Sequence, residues 1–322
     1  MASEQPLLAF GPVMATGAAS QLASPAGVDA LRLPLLWLTI ALALAVAIAG
    51  AANRMQRRRA PTASFGDFTV PIGLAVIGGG IARLAGPIAL GAAIGAAALA
   101  SMVTVGLMFT VIPSVSRSSS GLASVGGIWF LAPAAVLADA IGIAALGTRA
   151  PASGVVLGWA AMVAAAVGAA GYLFVFGLAA ARVAIHRLNG TARSPWWIAA
   201  GCGGLSAAAL GRAEAVTRTS SGLLHTFGWA ALGCWIVGSS SLVPVLVGSG
   251  RYLLGLRKLT KSPPWPPTFS TGVYALGTIQ VGRLLHLASI TSLADAAAIA
   301  TVCLWGFTVS AYLLPRLVTS ST

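Results

Sequence analysis

Ten apolar stretches fill this sequence and leave room for little else. They cover residues 7–23, 33–52, 68–84, 88–113, 127–146, 154–181, 195–211, 223–247, 268–286 and 293–313. A helix needs about 20 apolar residues to span the hydrocarbon of a bilayer. The stretches run too long for membrane strands and lack their period-2 alternation. Charge supports the same reading. Only 8% of the residues are charged and 57% are hydrophobic, whereas a soluble domain carries about 25% charged residues. So few charges do not cover a water-facing surface. The sequence therefore predicts an all-α integral membrane protein of ten transmembrane helices, a single domain over residues 1–322.

The loops give an independent check. The formal net charge is +13, which in a soluble chain would point to nucleic acid. In an apolar chain it reads instead as topology, because basic residues collect on the cytoplasmic side. With the N-terminus inside, the loops after even stretches and the C-terminal end hold Arg54, Arg57, Arg58, Arg59, Arg117, Arg182, Arg187, Arg193, Arg251, Arg257, Lys258, Lys261 and Arg316. The other side holds Arg32, Arg83, Arg149, Arg212, Arg218 and Arg283. The 19 basic residues thus divide 13 to 6, and both termini are placed in the cytoplasm. Nearly all the basic residues are Arg, and Ala and Gly abound, in the manner of a GC-rich bacterial genome, so a bacterial inner membrane is expected. The N-terminal residues carry Glu4 and no basic cluster, so the first stretch reads as a retained helix.

The odd stretches share an opening. The first has Phe10-Gly11-Pro12, the third Phe68 and Pro71, and the fifth Trp129-Phe130 and Pro133. The seventh has Pro195-Trp196-Trp197, and the ninth Trp265-Pro266-Pro267 with Phe269. These openings recur roughly every 60–70 residues, the length of one helical hairpin with its loops. Taken singly, the tryptophans read as an interfacial belt. Glycine also gathers in the odd set: Gly11, Gly17, Gly73, Gly78, Gly79, Gly80, Gly201, Gly203, Gly204, Gly272 and Gly277. The prolines and glycines of the odd set are expected to bend helices, let backbones approach, or line a channel. The pattern suggests five hairpins in pseudo-fivefold order, odd helices around a central pore and even helices outside. Gly11, Gly17, Gly73, Gly201 and Gly272 are the expected small lining residues.

Three segments carry a resemblance: Phe10-Gly11-Pro12-Val13-Met14-Ala15-Thr16-Gly17, the run 127–133, and the run 265–278. They resemble the tellurite-resistance/dicarboxylate transporter family, which includes TehA-type proteins, malate permeases, sulfite pumps and slow anion channels. The resemblance implies ten helices as five hairpins, odd helices lining a pore, and a homotrimer with one pore per subunit. It also implies a gate, a phenylalanine on the ninth helix, matched here by Phe269. The sequence departs from the family in having Ser270 where many members have proline, and Arg59-Ala60-Pro61 where many have His-Pro.

An anion needs a diffuse positive field along its path, because a tight ion pair would trap it. Arg83, Arg149, Arg212 and Arg283 lie at or just beyond the outer ends of odd stretches. They are candidates for attracting anions at a pore mouth. Equally, arginine near a helix C-terminus complements the helix dipole and snorkels to the interface. Asp139 is the one acid deep in a stretch, expected either to pair with Arg83 or Arg149 or to carry a proton. Glu214 and Arg218 read as a surface pair. Cys202, Cys234 and Cys303 lack metal spacing and are expected as buried small residues. His186, His225 and His286 lie on different segments, so neither haem nor a metal is expected. No phosphate loop, paired carboxylates or Ser/His/Asp set appears, so an enzyme is not expected.

The function expected is transport of small inorganic or organic anions through a phenylalanine-gated pore. The alternative is a proton-coupled carrier for four-carbon dicarboxylates, sulfite or tellurite-related oxyanions, in which Asp139 would matter. A membrane subunit of a redox complex and a bundle without a pore complete the alternatives.

Overall fold

A computed structural model describes residues 10–56, 64–84, 86–116, 125–150, 153–186, 197–217, 221–253 and 265–319. Pro195, Trp196, Arg218 and the basic residues Arg57, Arg58, Arg59, Arg117, Arg187, Arg193, Arg257, Lys258 and Lys261 lie outside the described residues. The described residues form ten α-helices and no strand. They are α1 (Gly11–Leu22), α2 (Arg32–Gln56), α3 (Thr69–Ile81), α4 (Pro87–Ser116), α5 (Leu131–Gly147), α6 (Gly154–His186), α7 (Trp197–Thr217), α8 (Ser221–Leu253), α9 (Trp265–Leu285) and α10 (Ala288–Thr319).

Two populations stand out. The odd helices have 12, 13, 17, 21 and 21 residues. The even helices have 25, 30, 33, 33 and 32. At about 1.5 Å per residue, α1 is about 18 Å long and α6 about 50 Å. The odd helices are buried nearly all round; α1 buries every residue from Val13 to Leu22. The even helices turn large apolar side chains outward, with Ile88 88% and Phe109 77% exposed. That outer face suits hydrocarbon rather than water.

Among the described residues, five segments are long and apolar enough to cross a membrane: Asp29–Ala49, Pro87–Pro113, Gly127–Gly147, Gly154–Ile185 and Ala288–Ala311. Four belong to even helices. Helices α1 and α3 are too short, and α7 and α9 carry Ser206, Arg212, Thr268 and Gln280. A helix enclosed by protein meets little lipid, so its composition is free of the demand that lipid makes.

Each odd helix packs on the even helix that follows it. The odd helices also touch one another in succession: α1 on α3, α3 on α5, α5 on α7, α7 on α9, and α9 on α1.

The odd openings have a local cause. Before α3 the chain makes a 3-10 turn, Phe65–Phe68, and before α5 another, Gly127–Phe130. The preceding residues, Ser64 and Gly126, are both extended, and each turn ends in a phenylalanine with no exposed surface. Ser64 and Asp67 form a capping box, with the Ser64 N–H donating to Asp67 Oδ2 at 2.8 Å. Trp129 stacks on Phe65 at 4.8 Å between ring centres, so it joins two openings rather than standing in a belt. Pro71 and Pro133 each follow the buried phenylalanine by three residues. The expectation that these prolines bend the odd helices needs correction. Pro12, Pro71, Pro133, Pro266 and Pro267 all stand within the first three residues of their helices. There the missing N–H costs no helical hydrogen bond. By contrast, Pro113 lies inside α4, an even helix.

At the other end the connections are short, and Gly27, Gly86 and His286 turn the chain there with positive φ. Cys202 and Cys234 are buried as expected, but Cys303 is exposed. It lies on α10, one of the long outer helices, whose outward side chains have no helix to cover them.

Candidate functional site

The five glycines expected to line a pore face neighbouring helices instead. A Cβ on Gly11 would stand 3.1 Å from Trp265 Cβ, and one on Gly17 2.2 Å from Val76 Cγ1. On Gly73 it would stand 3.1 Å from Phe10 Cδ1, on Gly201 2.8 Å from Ser270 Cα, and on Gly272 2.8 Å from Ala18 Cβ. These are contacts of α1 with α9 and α3, and of α7 with α9. Small residues let helix backbones approach where lipid supplies no hydrophobic drive, and that is the use of all five.

Gly79 behaves differently. It is buried, yet a Cβ there would meet no atom within 4 Å. A Cβ on Gly78 would press on Ala96 Cβ of α4 at 3.2 Å, and one on Gly80 would collide with Leu36 Cδ1 of α2 at 2.6 Å. On α5, a Cβ on the buried Gly142 would meet only the Ala75 carbonyl, at 3.8 Å. Gly142 thus rests against the backbone of α3, and Gly79 faces space that no neighbouring helix fills. Sequence reasoning did not single out Gly79, since nothing in a run of three glycines separates the middle one.

Helix α9 is fastened on several sides. Thr268 Oγ1 and Thr308 Oγ1 lie 3.1 Å apart, joining α9 to α10. Trp235 Nε1 of α8 donates to Thr278 Oγ1 at 3.0 Å, and Ser239 Oγ of α8 lies 2.6 Å from Tyr274 Oη. Ser270 and Gly277 face α7, and Gly272 faces α1. At about 100° per residue, Phe269 and Leu276 fall on the face these contacts leave. Both are buried, Phe269 at 3% exposure.

The four arginines divide. Arg149 donates from Nε to the Ala82 carbonyl at 2.9 Å and from Nη2 to the Arg83 carbonyl at 2.8 Å. It thereby satisfies carbonyls just beyond the C-terminus of α3, where a cation is favoured. Arg212 of α7 lies close enough to Arg83 and Arg283 to feel both charges. Arg83 in turn feels Arg32. Like charges thus gather at one end of the inner helices.

The expected pairing of Asp139 with Arg83 or Arg149 is not made. Asp139 is buried in α5 beside Thr104 of α4, and its Oδ1 has no hydrogen-bond partner. Arg149 is engaged elsewhere, because the carbonyls closing α3 are nearer to hand. Among the described residues no group of three His, Cys, Asp or Glu is placed to hold a metal.

No curated protein matches the chain. The sequence pattern of the voltage-dependent anion channel family, SLAC1, matches residues 6–313. Together with helices built to face lipid, the match makes this a multi-pass membrane protein that carries anions. The chain belongs to the voltage-dependent anion channel family.

Proposed function

We propose that the five odd helices wall an axial route for small anions, that all ten helices cross the membrane as five hairpins in pseudo-fivefold order, and that Phe269 closes the route. The observation that carries this reading is the buried Gly79, where a Cβ would meet no atom of another helix within 4 Å. The cyclic packing of α1, α3, α5, α7 and α9 supports it. So does the position of Phe269, on the one face of α9 that no described contact with α1, α7, α8 or α10 occupies. A ring of benzene size in a narrow apolar passage blocks ions sterically and by excluding water. Arg83, Arg212 and Arg283 supply the field that concentrates anions at one mouth. Arg149 serves that mouth indirectly, by holding the Arg83 backbone.

The test is flux into liposomes carrying the purified protein, compared for chloride, nitrate, sulfite and malate. Phe269→Ala raises the flux of the permeant anion at least tenfold. Flux equal to that of the unmodified protein refutes the gate.

The unpartnered Oδ1 of Asp139 favours a second reading, a carrier that couples a proton to its anion. Under it, uptake depends on pH and Asp139→Asn abolishes that dependence. Under the channel reading, Asp139→Asn leaves the pH profile of flux unchanged.

A further inference from the structure

Between α1, the start of α2 and the end of α3 lies a cleft of about 380 Å³. Phe269 does not line it, whereas Arg83, given above to the mouth of the proposed route, does. Its polar lining comprises Ser20, Gln21, Asp29, Arg32 and Arg83. Two guanidinium groups against one carboxylate leave a surplus of one positive charge. Arg32 is also the first residue of α2, and its N–H donates to the Asp29 carbonyl of the 3-10 turn before it, so the guanidinium groups alone supply the positive charge. Ser20 Oγ donates to the Arg32 carbonyl at 2.8 Å, which fixes the start of α2 against α1.

Gln21 makes the cleft specific. It is only 8% exposed, and its Oε1 is buried with no hydrogen-bond partner. A buried carbonyl oxygen left unpaired costs roughly 1–3 kcal/mol, so the site asks for a donor. A bare anion offers acceptors to the arginines and to the Gln21 amide N–H groups, but no donor to Gln21 Oε1. A phosphate ester that also carries a hydroxyl satisfies both. The volume falls in the range of small-ligand sites, about 300–1,000 Å³, and exceeds the need of an inorganic ion. On its open side stands Leu33, 48% exposed on a helix that faces lipid, a path for acyl chains.

We infer that this cleft binds a hydroxyl-bearing phosphate ester, its phosphate on Arg32 and Arg83 and its hydroxyl donating to Gln21 Oε1. The ester is either the headgroup of an anionic lipid or a free solute, and the chemistry at the cleft is the same. Asp29, at the exposed rim, accepts a further hydroxyl. Because Arg83 feels Arg212, occupancy also lowers the positive field at the neighbouring mouth.

The experiment measures binding, not flux, so it stands or falls apart from the transport reading. The full chain is loaded into phosphatidylcholine nanodiscs, and bound lipid is counted by native mass spectrometry after adding phosphatidylglycerol or phosphatidylmethanol. A parallel arm titrates glycerol 3-phosphate or methyl phosphate calorimetrically. The glycerol ester binds at least threefold more tightly than its methyl counterpart in one arm or both, and the binding arm names the source. Arg32→Gln and Arg83→Gln each weaken both esters about tenfold. Gln21→Leu erases the preference for glycerol and leaves the methyl ester unaffected. Gln21→Glu keeps the shape and weakens both by repulsion, which guards against a packing defect in the leucine variant. The inference is overturned if neither ester binds in either arm, if binding survives the double arginine substitution, or if the preference survives both Gln21 variants.

Discussion

The seam between α7 and α9 and the inner face of α3 use glycine for opposite ends. At the seam, a Cβ on Gly277 would stand 2.2 Å from the Gly204 carbonyl oxygen, and one on Gly204 2.5 Å from Tyr274 Cα. Backbone meets backbone there, and each glycine exists so that two helices can touch. At Gly79 a Cβ would meet nothing within 4 Å, though the residue is buried. One glycine therefore closes a seam between two helices and the other leaves space beside its own. The lesson is that glycine content in a membrane helix says that something approaches closely or that something is left empty. Only the neighbours decide which.

Substitution separates the two regions, and the seam gives the largest effect. Gly277→Val places a branched side chain into a carbonyl that has no flexible end to move aside. The cost goes beyond the roughly 1–3 kcal/mol of ordinary overpacking, and the protein is lost from the monodisperse peak in size-exclusion chromatography. A normal peak with unchanged melting would mean that the seam is not close-packed. Gly79→Leu is the converse. Added to the Phe269→Ala background, where flux is high, it reduces anion flux at least tenfold while the melting temperature moves by no more than about 1 °C, less than about 1 kcal/mol for a chain of this size. A large loss of stability would show that Gly79 is packed after all, and the two regions would no longer differ.

The ten helices were legible because lipid imposes a simple demand on composition, and the even stretches, which face it, obey that demand most fully. The odd openings were legible too, since a phenylalanine and a proline three residues apart recur at Phe68–Pro71 and Phe130–Pro133. Their meaning was not. Proline reads as a bend, but its place in the helix decides, and the 3-10 turns that put Pro71 and Pro133 in a first turn leave no composition signal. The direction of each glycine was equally hidden, as Gly78, Gly79 and Gly80 face α4, open space and α2 in turn. Polar partners across helices, such as Trp305 Nε1 donating to Thr16 Oγ1 at 3.0 Å, join residues 289 positions apart, and no local pattern announces them.

The arginines extend the same comparison to charge, with the smallest effect. Arg149 is spent on the carbonyls of Ala82 and Arg83, as the seam glycines are spent on packing. Arg212 is held near Arg83 and Arg283, and its charge faces like charges. If the second group concentrates anions, Arg212→Gln lowers flux about two- to fivefold at low ionic strength. The loss then fades at high salt, because screening shortens the reach of a charge from about 10 Å at 0.1 M to about 3 Å at 1 M. Arg149→Gln should show no such salt dependence, since its work is a pair of short hydrogen bonds rather than a field. Flux through the Arg212 variant that falls equally at both ionic strengths would assign Arg212 to structure as well, and the mouth would lose its electrostatic role.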